Sequence, residues 1–226
     1  MTRDQVLHSL RAAAAPARAE GLSKHHRTAS MVMGTGNAAL ADLGAQIRAD
    51  LDVAARVALA RELWATQIHE ARIVATQALK QARLRPDDDA WAAMVDWVAE
   101  VDCAPVADHL IRAGQKRVLA GPARLDTVAE WAADDALWPR VIALGLGQAW
   151  TGMKFPKDAD LTHRARVVEM TIAALPDHRR PVQGAVTDVL CDLAKVDPDT
   201  ARDILNTHGD VMAGAVRKSL LRALPA

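Results

Sequence analysis

Glu62-Leu63-Trp64-Ala65-Thr66-Gln67-Ile68-His69-Glu70-Ala71-Arg72 is the stretch that decides the fold class. Leu59 and Leu63 stand one helical turn apart and end an amphipathic helix, and Ile68 begins the next after a gap of a few residues. Along the second helix Ala71, Val74, Ala75, Ala78 and Ala82 recur at helical spacing on one face. His69, Arg72, Thr76, Lys80 and Arg83 form a polar stripe on another. Two helices joined this tightly make an αα-hairpin, the unit of stacked helical repeats. The alanine face allows the helices to approach closely.

The same reading extends in both directions. Residues 1–20 predict a helix with Val6, Leu7 and Leu10 on one side, and residues 24–33 predict another. Gly34-Thr35-Gly36-Asn37 is a turn; it has neither the preceding strand nor the following Lys-Ser/Thr of a phosphate loop. Residues 38–49 follow as a helix, and Asp52 is placed to cap the one that leads to Trp64. Pro86-Asp87-Asp88-Asp89 marks a break whose acids suit a helix N-terminus. Val106, Ala107, Leu110 and Ile111 then share a face that ends near Gly114, and Gly121-Pro122 punctuates again. Beyond it, helices are expected from Leu125, from Leu137 to Trp150, and from Leu161 to Leu175. Others should follow from Val182, after the N-cap pair Asp197-Pro198, and from Val211 to Leu224. No segment alternates with period two for long. The expectation is an all-α, HEAT-like helical-repeat solenoid of antiparallel helix pairs, concave, forming one domain over residues 1–226.

Composition agrees and narrows the function classes. Six Trp, one Phe and no Tyr disfavour a β-rich fold. The formal net charge is zero, which lowers the expectation of tight DNA binding, because phosphates attract Lys and Arg. Charge is uneven, however: residues 1–85 carry 12 Lys/Arg against 7 Asp/Glu. Cys103 and Cys191 lack metal-ligand spacing and read as buried free thiols in a reducing compartment. No metal site and no cofactor are expected. Met1-Thr2-Arg3-Asp4 does not begin a signal peptide, and Ala12–Ala15 is too short for a membrane span. A monomeric cytoplasmic protein is the expectation.

Several motifs carry a resemblance. Leu63-Trp64 followed by His69-Glu70, Gln81-Ala82-Arg83-Leu84-Arg85-Pro86-Asp87, Ala107-Asp108-His109 and Ala113-Gly114 are the first of them. Pro122-Ala123-Arg124-Leu125-Asp126 and Asp192-Leu193-Ala194-Lys195 complete an ordered series. Over about residues 24–222 the chain resembles the DNA alkylation repair family, N-alkylpurine DNA glycosylases built from HEAT-like repeats. The resemblance implies double-stranded DNA as partner, held in a concave basic groove without inserting the base into a pocket. In active members an aspartate stabilises an oxocarbenium-like sugar, two tryptophans contact sugar and backbone, and an arginine anchors a phosphate. A carboxylate suits that role because its charge opposes the charge developing in the transition state.

On this resemblance Asp108 matches the catalytic acid, while the other positions are degenerate. Ala104 stands where the family has one tryptophan, Asp188 where it has the second, and Val141 where it has the arginine. Arg140, Lys154, Arg179, Arg180 and Arg217 are candidate phosphate contacts. Plainer accounts exist for several of these residues. Asp108 is four before Arg112, so a surface ion pair would explain it. His69-Glu70 reads as a structural feature of the repeat, His25-His26 as solvated, and Trp64, Trp91, Trp97 and Trp131 as interhelix packing. An exposed connector or helix face accounts for Arg179-Arg180 and Arg217-Lys218. Three functions compete: a DNA-binding protein for damaged or distorted DNA with little or no glycosylase activity, an active glycosylase using Asp108, and a protein-interaction scaffold without DNA binding.

Overall fold

The computed structural model describes residues 1–225. They form an all-α protein whose residues divide into two compact units, Met1–Arg117 and Val118–Ala226. The first holds α1 (Arg3–Ala12), α2 (Pro16–His26), α3 (Asn37–Asp50), α4 (Val53–Trp64), α5 (His69–Leu79) and α6 (Asp88–Val98), and α7 (Ala104–Ala120) begins in it. The second holds α8 (Leu125–Ala133), α9 (Leu137–Thr151), α10 (Asp158–Ala174), α11 (Arg180–Val196), α12 (Pro198–His208) and α13 (Gly214–Ala223). Among the described residues the only β feature is an isolated bridge between Met31 and Ile68. No helix among them is long and apolar enough to cross a membrane.

The hairpin at Glu62–Arg72 forms as its spacing predicts. The Asp52 carboxylate accepts from the Ala55 amide at 2.9 Å and starts α4. The turn after Trp64 is closed by Gln67 in the left-handed region at φ 54°, and Ile68 is the N-cap rather than the first residue of α5. The polar stripe is a correction to the sequence reading. All eleven residues of α5 are buried, His69, Glu70, Arg72, Thr76 and Gln77 included, and α5 ends before Ala82 and Arg83. Its neighbours α1, α3 and α4 cover it on several sides. Buried polar groups need partners, and Arg72 shows how they are met. It donates to Ser30 Oγ (3.3 Å), the Glu100 carbonyl (3.2 Å) and Glu100 Oε2 (3.0 Å). Its guanidinium lies 4.9 Å from the centre of the Trp64 ring, which stacks on Trp97 at 4.5 Å.

Close approach is made possible by glycine on the facing helix. A Cβ at Gly44 of α3 would sit 2.5 Å from Gln77 Cβ of α5. The Gly34 turn is occupied in another way. Glu70, 1 % exposed, accepts from the amides of Met33 (2.9 Å) and Gly34 (2.6 Å). Gly34 holds φ 81°, and a Cβ there would meet the Ala15 carbonyl at 2.4 Å. These amides are therefore spent on a carboxylate of the protein itself, so this turn offers no phosphate cradle.

Four boundaries depart from the spacing. The first helix breaks at Ala13–Ala15 because Pro16, which lacks an N–H, begins α2. Residues 27–33 are not helical: Arg27 ends α2 at φ 52°, and Met31 exchanges hydrogen bonds with the Gln67 carbonyl (3.1 Å) and the His69 amide (2.8 Å). α7 continues through buried Gly114 to Ala120, since packing outweighs the roughly 1 kcal/mol propensity cost of one glycine. The last helix starts at Gly214 rather than Val211. In the second unit α9 plays the central part, with Val141 to Gly147 buried in an unbroken run and α8, α10 and α11 packed around it.

Candidate functional site

Within the first unit α2, α3, α5 and α7 surround a cavity of about 450 Å³. α7 supplies one wall with a line of residues one turn apart, Ala104, Asp108 and Arg112. Asp108 is exposed at this wall. Partial desolvation raises its pKa above the usual carboxylate value, and the Arg112 charge acts in the opposite direction. The surface ion pair that the sequence suggests does not form. Among the described residues no salt bridge joins the two, and Arg112 acts on Asp108 at longer range.

The sequence reading did not link the four histidines, His25, His26, His69 and His109, that share this cavity with Asp108. His69 is buried on α5, and His26 of α2 stacks on it with ring centres 5.6 Å apart and planes 15° apart. His109 accepts at Nδ1 from the Gln77 amide nitrogen at 3.0 Å when Nε2 carries its proton. Burial lowers the pKa of His26, His69 and His109 and brings His109 to about 4, so these three imidazoles are predominantly neutral at pH 7. Cys103 Sγ lies 3.7 Å from His69 Nδ1, and burial pushes its thiol up to about 11, which keeps it protonated and inert. Cys191 is only half-buried, in contrast to the expectation for both thiols. Among the described residues no group of three His, Cys, Asp or Glu side chains is placed to hold a metal ion. The dipeptides His25-His26, His69-Glu70 and Asp108-His109 are visible in the sequence, but nothing there links them. Only the packing of α2, α5 and α7 brings them together.

The degenerate positions can now be located. Ala104 stands on the cavity wall, where a tryptophan would project into the space. Val141 is 8 % exposed, inside the buried run of α9. Asp188 is exposed on α11.

The basic candidates of the second unit fall into two groups. Arg140 and Arg179 are both committed to Asp177, whose side chain is 6 % exposed. Arg140 Nη1 donates to Asp177 Oδ2 at 2.8 Å; Arg179 Nη2 donates to the same oxygen at 2.5 Å and Arg179 Nη1 to the Asp135 carbonyl at 2.7 Å. The bonds from Arg179, followed by that from Arg140, hold the Asp177 carboxyl well below its usual range. Lys154, Arg180 and Arg217 are exposed. Among the described residues they form no ion pair.

Comparison with known proteins agrees with this architecture. The family model described as DNA alkylation repair enzyme matches residues 6–223. The crystal structure of AlkD2 from Streptococcus mutans is similar in fold, with a TM-score of 0.64 at 18% sequence identity, over 93% of this chain and 99% of that one. No curated protein matches.

Proposed function

Because the chain belongs to the DNA alkylation repair family, we propose that it binds double-stranded DNA, damaged or distorted, with little or no glycosylase activity. The observation that carries this reading is the isolation of Asp108. Its carboxylate is open to a ligand, yet the residue one turn before it is Ala104, which can neither stack on a sugar nor contact the backbone. Val141 is buried in α9 and apolar, so it cannot anchor a phosphate. Asp188, exposed on α11, can neither stack on a sugar nor offer positive charge to a phosphate.

DNA contact then falls to Lys154, Arg180 and Arg217. Three phosphate contacts predict weak binding with a log–log salt slope of about −3. Anisotropy titrations of a labelled duplex between low and physiological salt are expected to give that slope. Asp177→Asn should loosen Arg140 and Arg179, which keep only their contacts to Asp135, and steepen it toward about −4 to −5 if both reach phosphate, since each new contact adds about −0.9. Absence of binding at low salt, or binding indifferent to salt, would favour a protein-interaction scaffold instead.

A further inference from the structure

We propose that Phe155, in the connector between α9 and α10, is a stacking wedge that seats on the open base face of an interrupted duplex, such as one with a single-nucleotide gap. The inference rests on the DNA reading above and names the kind of distortion that the protein selects.

Phe155 is the single phenylalanine of a chain without tyrosine. It is 91 % exposed, against 63 % for Met31, the next most exposed large hydrophobic side chain among the described residues. Exposure alone decides little, since single apolar side chains are common on protein surfaces. What sets this ring apart is the bracing of its backbone on both sides. Arg164, 5 % exposed, donates from Nε to the Trp150 carbonyl at 3.1 Å and from Nη2 to the Met153 carbonyl at 2.6 Å. On the far side the Lys157 amide donates to Asp160 Oδ2 at 3.0 Å, where α10 begins. Pro156 has a fixed φ and biases the residue before it toward extended backbone. A buried guanidinium is thus committed to holding a connector whose aromatic ring stands in solvent. Order imposed in advance lowers the cost of binding.

The neighbours of the ring select the partner. Lys154 is exposed beside it and forms no ion pair among the described residues, so it can meet a phosphate while the ring meets a base. Lys157 is offset by Asp158 and Asp160 in the first turn of α10. These two acids disfavour an anionic lipid surface, which also requires more apolar area than one ring supplies. A ring that enters an intact duplex must unstack a base step, whereas a gap leaves base faces already open. Every base has such a face, so the wedge reads the break in the stack and not the sequence around it.

Anisotropy titrations of the full chain with a labelled intact duplex, and with the same duplex carrying a single-nucleotide gap, supply the test. The gapped duplex should bind at least about fivefold more tightly, the lower end of what one base–aromatic stack contributes. Phe155→Ala should remove most of that preference with a smaller effect on the intact duplex, and Phe155→Trp, which keeps a flat ring, should retain it. Lys154→Gln should weaken both duplexes alike and leave the preference in place. Thermal melts of the variants check that they are folded. Equal binding of the two duplexes by the wild type, or a preference unchanged in folded Phe155→Ala, overturns the wedge and leaves the DNA reading standing. Failure to bind either duplex at low salt overturns both. Binding to phosphatidylserine vesicles that is lost in Phe155→Ala, without any preference for the gap, overturns the wedge and assigns the ring to a lipid surface.

Discussion

DNA carrying N-methylated purines is expected to lose at least about a hundredfold less base to this protein than to an active relative, equivalent to roughly 2.7 kcal/mol of transition-state stabilisation. Asp108 can present negative charge to an oxocarbenium sugar, but only a sugar held beside it benefits, and small misplacements are costly. A base–aromatic contact is worth about 1–3 kcal/mol and sets an upper bound for a sugar–indole contact. The chain has Ala104 and Asp188 where two such contacts would be made and Val141 where a phosphate would be anchored. Restoring all three should recover more than any one alone, because groups that position a substrate act as a unit. Ala104→Trp and Asp188→Trp fall at exposed positions and leave the core alone. Val141→Arg falls at an 8 % exposed position, so its guanidinium must reach solvent past its own aliphatic stem. The assay is release of methylated purines, with Asp108→Asn as control. Wild-type excision equal to that of an active relative, and abolished in Asp108→Asn, would falsify the proposal of little or no activity.

The second large effect concerns Arg117. Its side chain is 0 % exposed, near the C-terminal end of α7, and it gathers the connector between α5 and α6. It pairs with Asp87 at 2.8 Å and donates to the carbonyls of Leu84 (3.2 Å), Ala82 (3.2 Å) and Gln81. Arg117→Ala removes a charge partner of the largely buried Asp87 carboxylate and the donor to three carbonyls. Breaking such a pair typically costs about 3–5 kcal/mol, and a melting temperature lower by roughly 10 °C is expected. Arg117→Lys should fall between the two, since an ammonium keeps the charge but lacks the planar fork. Denaturant unfolding followed by circular dichroism measures both variants. A loss below about 1 kcal/mol for Arg117→Ala would show that the connector is held by other means.

Arg117 also marks the limit of what could be read from residue order. In Gln115-Lys116-Arg117 it looks like part of a solvated charge run. The motif Gln81–Asp87 looks like a helix break, and nothing local says that one grips the other. Interactions within a turn were legible: the Asp52 and Asp197 caps, the acids that start α6, and the hairpin from α4 to α5. Pro16 was a legible stop that the residue 1–20 helix overran. The burial of every α5 residue was not legible, because a helix covered on several sides can keep an amphipathic pattern when its polar groups find partners inside. For the candidate site, Asp108 and its degenerate companions came from the family resemblance. The cavity around Asp108 did not, since its histidines come from helices far apart in sequence.

The clasp at Asp177 has an evolutionary reading. Two arginines that would suit a phosphate backbone are held by Asp177, with Asp135 as a longer partner of Arg140, so positive charge is masked locally that the overall balance does not reveal. A single-base change from an aspartate to an asparagine codon at 177 would loosen both at once, leaving them only their contacts to Asp135. The local balance of charge at this connector is therefore one mutational step from shifting, with some loss of stability, and selection can move it either way without rebuilding the helices that carry it.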